Sequence, residues 1–123
     1  MNLLVGEGNK VKGSQNSVNG SLNQVIGGNN KLSGDENKVK GSENEVSGDH
    51  NAMQGSQNAV KGNNNALIGD KNSIFGDLNS VFGSSNQVAG KSNRLQGSSN
   101  AVKGSDNSLK GSCNLVSGDD NFV

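Results

Sequence analysis

Gly55-Ser56-Gln57-Asn58-Ala59-Val60-Lys61 is followed by Gly62-Asn63-Asn64-Asn65-Ala66-Leu67-Ile68 and then by Gly69-Asp70-Lys71-Asn72-Ser73-Ile74-Phe75. Each unit is seven residues long. Its first residue is Gly, its fourth is Asn and its sixth is aliphatic. Extended outward, the pattern runs without insertion or deletion to both termini. Glycine holds its phase from Gly6 to Gly118, asparagine from Asn2 to Asn121, and the aliphatic residue from Leu4 to Val123. That last position is Val, Leu or Ile, and once Met53.

Asn and the aliphatic residue stand two apart, which is the spacing of side chains on one face of a strand. With Asn58 and Val60 inward, Gln57, Ala59 and Lys61 point outward and Gly55-Ser56 make a corner. A helix is excluded on two grounds. Gly at every seventh residue costs about 1 kcal/mol each against Ala, and one apolar residue in seven is too narrow a stripe for helix packing. Seven residues supply one strand and one corner, so two units close a flattened coil of fourteen. The expectation is an all-β solenoid with two parallel sheets, 14 residues per coil and about nine coils. Residues 1–123 form a single repeat domain, a rod about 40 Å long at the usual strand spacing.

Composition fits this reading. The chain is 28% hydrophobic and 2% aromatic, with no Pro, Trp or Tyr, which is too polar for an ordinary core. A fixed register through such a chain marks a repeat architecture instead. Stacked aliphatic side chains then supply the core, each contributing roughly 1.5–3 kcal/mol when fully buried. A buried amide destabilises unless it is hydrogen-bonded. Stacked Asn side chains meet that condition by bonding to the next coil and to the corner backbone. Gly suits a corner that needs positive φ, and the Ser or Asp after it can bond the turn backbone locally.

Chemistry must therefore sit on outward positions. Same-face neighbours lie fourteen apart, so one face carries Ala52, Ala66 and Ser80 in succession, flanked by Ile68, Leu78 and Phe82. The other carries Ala59, Ser73 and Ala101, with Phe75 beside them and Gln87 interrupting. A flat, partly apolar patch on a polar rod marks a candidate binding surface; outward positions free to drift are the alternative. Lysines (Lys10, Lys12, Lys38, Lys40) and glutamates (Glu36, Glu43, Glu45) gather in the N-terminal part, an interleaving suited to cross-strand pairing.

Other function classes lack support. Eleven basic and eleven acidic residues cancel, so no net field draws nucleic acid. No run approaches a membrane-spanning length. His50 and Cys113, both expected outward, have no nucleophile pattern or metal-ligand spacing around them, and no strand–Gly loop–helix unit exists for phosphate. No enzyme activity, cofactor or metal is expected. Asn19-Gly20-Ser21 is a weak glycosylation match. Met1-Asn2-Leu3-Leu4-Val5 is too short for a signal peptide and already in register.

The unit x-x-Asn-x-Val-x-Gly, as in Ser14-Gln15-Asn16-Ser17-Val18-Asn19-Gly20 and Ser98-Ser99-Asn100-Ala101-Val102-Lys103-Gly104, resembles the repeat of grass antifreeze and ice-recrystallisation-inhibition proteins over the whole chain. The resemblance implies a left-handed β-roll, an extracellular setting and ice or ordered water as partner, bound by one flat face. Those proteins present Thr, Ser and Val on that face. This chain has no threonine, and the matching position often carries Lys, Gln, Glu or Arg. The resemblance then points to the small-residue columns: Ala52, Ala66 and Ser80 with Ile68 and Phe82, or alternatively Ala59, Ser73 and Ala101. A more distant likeness to the head repeats of trimeric autotransporter adhesins keeps a structural or adhesive role open. The array also starts and stops inside a repeat without a polar cap, an arrangement compatible with head-to-tail self-association into a filament.

Overall fold

The computed structural model describes residues 1–123. Seventeen strands of three residues each recur every seven residues, from β1 (Leu3–Val5) and β2 (Lys10–Lys12) to β17 (Leu115–Ser117). Odd strands form a nine-stranded parallel sheet, here sheet A, and even strands an eight-stranded parallel sheet, sheet B. Each strand pairs with the one fourteen residues away in strict register, for example Ala66 with Ser80, Leu67 with Val81 and Ile68 with Phe82. The solenoid of two parallel sheets is as the sequence predicts.

The middle residue of each strand points inward. Fifteen such residues, from Val18 to Val116, make one continuous core. Its width is one side chain from each sheet, filled by Val, Leu, Ile and the single Met53.

The asparagines close the interior on either side of this core. Asn65 is typical. Its Nδ2 donates to Asn51 Oδ1 at 3.0 Å and to the Gly76 carbonyl at 2.8 Å, and its backbone N–H donates to the same Asn51 Oδ1 at 3.0 Å. Its own Oδ1 accepts from the N–H and Nδ2 of Asn79 at 3.0 and 3.1 Å. The amide thus bonds the coil below, the coil above and the corner between. No buried side-chain polar atom in the molecule lacks a partner.

The corner takes three residues rather than the two expected. The residue before each ladder Asn, from Gln15 to Asp120, has φ between 55° and 60°. In this conformation its N–H reaches a carbonyl of the preceding coil, as Gln57 does with Ser42 at 3.0 Å. The corner glycine is fixed by close approach as well as by φ. At Gly62 φ is +136°, and an added Cβ would lie 2.0 Å from the Gly76 carbonyl oxygen. The Ser or Asp that follows does not bond its own turn, as its sequence suggests. It accepts from the backbone one coil earlier: Asp35 Oδ1 takes the Ser21 N–H at 2.6 Å, and Asn63 Oδ1 takes the Asp49 N–H at 2.8 Å. Coil stacking sets this reach, since the nearest free N–H is the one below.

Candidate functional site

With every strand only three residues long, each sheet shows the outside just two columns of side chains. They stand about 6.6 Å apart across the strand and repeat about every 4.8 Å along the rod. Between them runs a shallow trough floored by backbone. On sheet B the trough is about 330 Å³, bordered by Ala52, Ala66, Ile68 and Phe82. On sheet A one of about 400 Å³ is bordered by Ala59, Lys61, Ser73 and Phe75.

Sheet B brings the first set of predicted residues together. Ala52, Ala66 and Ser80 are consecutive rungs of one column, and Ile68 and Phe82 are consecutive rungs of the other. Ile68 and Phe82 are 41% and 54% exposed, so their rings and branches stand clear of the sheet. Leu78 does not belong with them. It is the positive-φ residue of a corner and projects from the rod's edge. Elsewhere sheet B carries Lys10, Lys38 and Arg94 in one column and Lys12, Lys40 and Lys110 in the other, interspersed with Gln24, Ile26, Gln54, Gln96 and Ser108.

Sheet A brings Ala59 and Ser73 together as adjacent rungs, with Gln87 between them and Ala101. Its second column adds small residues that the sequence reading passed over: Ser33 beside Ser47, then Ala89 and Ser117. The signal was the third residue of each odd strand, read at a period of fourteen. The charges on this sheet are largely occupied. Lys31 Nζ meets Glu45 Oε1 at 3.1 Å, and Lys61 Nζ lies 5.4 Å over the Phe75 ring, a cation–π contact.

The acids lie elsewhere. The corners leading from sheet A to sheet B form a ridge bearing Glu7, Asp35, Glu36, Asp49, Asp77, Asp106, Asp119 and Asp120. Asp35, Asp49, Asp77 and Asp119 each accept a corner N–H of the preceding coil through Oδ1. Asp77 shows the consequence. The Asn63 backbone N–H at 2.8 Å, with Lys91 Nζ at 3.5 Å, holds its carboxyl below the usual 3.8. The interleaved Lys–Glu pairing expected near the N-terminus is realised only by Lys31–Glu45. Glu36 is on the ridge with His50 at 3.2 Å, Glu43 sits on the opposite edge accepting from Gln57 at 2.9 Å, and the four lysines share sheet B with no acid. His50 and Cys113 are exposed corner residues.

A rod with two narrow faces, an amide-laddered interior and outward columns at the coil spacing defines a β-roll, a scaffold that presents side chains on a regular lattice. The family model described as the grass antifreeze β-roll matches residues 1–69 and again residues 41–123, and the chain belongs to that family. The family is an ice-binding β-roll rather than an enzyme family. No curated protein matches the chain.

Proposed function

We propose that the protein adsorbs to ice through sheet A and thereby inhibits ice recrystallisation. The observation that carries this reading is the small-residue makeup of that sheet. Ser17, Ala59, Ser73 and Ala101 occupy one column, and Ser33, Ser47, Ala89 and Ser117 the other. Short side chains leave flat stretches, Ala59–Ser73 in one column and Ser33–Ser47 in the other, at a spacing fixed by the strand ladder and set off by the longer Lys31, Glu45, Gln87, Lys61, Phe75 and Lys103. Waters in the trough then sit at the coil repeat, between serine hydroxyls that hydrogen-bond them and alanine methyls that do not. Such a strip orders a water layer before it meets the crystal, so adsorption forgoes part of the ordering cost. Sheet B has fewer small residues, Ala52, Ala66, Ser80 and Ser108, and its Ala52–Ala66–Ser80 run is closed at both ends by Lys38 and Arg94, which hold hydration shells of their own.

The test is an ice-recrystallisation assay on the protein, Ser73→Lys and Ala66→Lys. Lys31 and Lys38 occupy the equivalent positions of the two sheets, so both variants fit the fold. Inhibition at micromolar protein should fall about tenfold, a loss of about 1.4 kcal/mol, in Ser73→Lys, and persist in Ala66→Lys. The reverse outcome would move the site to Ala52, Ala66, Ser80, Ile68 and Phe82. An inactive parent at micromolar concentration would sink the reading.

A further inference from the structure

Net charge zero conceals a separation of charge. Sheet B presents Lys10, Lys12, Lys38, Lys40, Arg94 and Lys110 with no acid among its outward residues, and none of the six takes part in an ion pair. The adjoining ridge holds most of the chain's carboxylates. Each surface has the composition of a partner for the other, yet the two diverge around a corner within one molecule and do not pair.

We propose that a second copy of this chain docks its acidic ridge along sheet B, parallel to the first and in coil register. The match can be followed coil by coil. Glu7 of the ridge falls in the coil of Lys10 and Lys12, Asp35 and Glu36 in that of Lys38 and Lys40, and Asp106 in that of Lys110. The ridge's two protruding apolar residues, Leu22 and Leu78, are 60% and 59% exposed. They stand four coils apart, as do Ile26 and Phe82 on sheet B. In register, Leu22 meets Ile26 and Leu78 meets Phe82, each at the border of the sheet B trough. A slip of one coil sets Leu22 against Lys10 and Lys12, and Asp35 and Glu36 against Ile26. In register Lys91 faces Arg94, a like-charge contact weakened because Asp77 holds Lys91 at 3.5 Å, while Asp49, Asp77, Asp119 and Asp120 face no cation.

The contact joins unlike surfaces, so it does not close on itself. Each added copy leaves one ridge and one sheet B free, and association continues sideways into arrays of parallel rods. Sheet A is not consumed. The attraction acts between exposed charges and is screened within about 10 Å at 0.1 M salt.

Sedimentation velocity on the folded protein, at 20 mM and 500 mM NaCl and from 5 to 200 µM, tests this. The parent should sediment as concentration-dependent species of at least twice the monomer mass at low salt, and as monomer at high salt. A face variant (Lys10→Glu, Lys38→Glu, Lys110→Glu) and a ridge variant (Glu7→Lys, Glu36→Lys, Asp106→Lys) should each be monomeric at low salt. Mixed in equal amounts, they should associate again, because the unchanged ridge of the face variant meets the unchanged sheet B of the ridge variant and the acidic face meets the basic ridge. Lys71 already occupies the corner geometry of Glu36 and Asp106, and circular dichroism reports whether each variant is folded. A parent that stays monomeric at 200 µM in 20 mM NaCl overturns the proposal, as does a mixture that fails to reassociate while both variants are folded. Binding of a monomeric parent to phosphatidylserine vesicles, lost in the face variant, would also overturn it by assigning sheet B to an anionic surface.

Discussion

Replacing Asn65 by Ala tests what holds the coils together. Asn65 is 2% exposed, and the structure shows which groups its amide serves. Removal of Nδ2 takes from the Gly76 carbonyl its 2.8 Å donor. Removal of Oδ1 takes from the Asn79 backbone N–H its 3.0 Å acceptor. Asn51 Oδ1 keeps the Asn65 backbone N–H, and Asn79 Nδ2 keeps the Gly90 carbonyl at 2.9 Å. Two backbone groups are therefore orphaned, the Asn79 N–H buried and the Gly76 carbonyl half-buried. Each costs about 1–3 kcal/mol, so Asn65→Ala should destabilise by about 4 kcal/mol, a large share of the 5–15 kcal/mol typical of a domain. Asn121 is the internal control. Its Nδ2 donates to Asn107 Oδ1 at 2.9 Å and to the exposed Asp119 carbonyl at 3.3 Å, its Oδ1 accepts nothing, and Asn107 Oδ1 keeps the Asn121 N–H. Asn121→Ala should cost less than about 1 kcal/mol. Asn65→Asp keeps the shape but turns an oxygen toward Asn51 Oδ1 and the Gly76 carbonyl, so it should be at least as damaging at pH 7. Urea unfolding of the four proteins, followed by circular dichroism, gives the values. An Asn65→Ala within about 1 kcal/mol of the parent would refute the reasoning, because water or backbone relaxation would then be replacing the ladder.

Gly62→Ala should leave the chain unfolded or cost more than about 4 kcal/mol, because its Cβ would enter the Gly76 carbonyl at 2.0 Å. Gly28→Ser, at a site without positive φ, should instead gain about 1 kcal/mol by giving the Ser14 N–H the hydroxyl acceptor that other coils have; thermal melts separate the two. Asp77→Asn reports the ridge electrostatics. The folded carboxyl lies below 3.8, so its contribution is present at neutral pH and is lost as pH falls through the lowered value. The parent should therefore exceed Asp77→Asn by a constant margin above pH 5, and the margin should close below 3.8. A margin unchanged at pH 2.5 would show that the Asn63 and Lys91 contacts are indifferent to charge.

The fold was legible because it depends on three positions per unit that tolerate almost nothing else. A residue whose Cβ meets a carbonyl must be Gly, one that must donate and accept in a stack must be Asn, and one that fills half a narrow core must be an unringed apolar side chain, Val, Leu, Ile or, once, Met53. A period of seven exposes all three at once. The corner was misread by one residue because its third position obeys no type rule. Leu22, His50, Lys71 and Cys113 all sit at φ near 60°, held by inter-coil backbone bonds that any residue can make. In the sequence Leu78 reads as a face residue for that reason. The hydrogen bonds of Ser and Asp were assigned to their own turn because local partners are what a linear reading supplies, whereas stacking puts the acceptor's partner fourteen residues away.

Surface function is encoded at a different period from the fold, and this is why the site was harder to read. The seven-residue repeat treats sheets A and B, and the two ridges, as equivalent; only the fourteen-residue repeat distinguishes them. At that period the chain is far from uniform. Small residues accumulate on sheet A, unpaired cations on sheet B and carboxylates on one ridge. Nothing in the core asks for this, since Val60 on one sheet and Val81 on the other are buried alike. The ladder ties only the backbone and inward side chains, so each outward column is free to change without cost to the stack. A difference that persists between columns under that freedom is therefore informative about what each face meets. The sharpest reading comes from moving charge between columns rather than removing it. Transferring Lys38 to position 73 (Lys38→Ser with Ser73→Lys) preserves net charge and every inward contact. It should abolish most ice activity and weaken low-salt association in one protein. A variant that kept both would mean the columns are interchangeable after all, and that the seven-residue period carries the function as well as the fold.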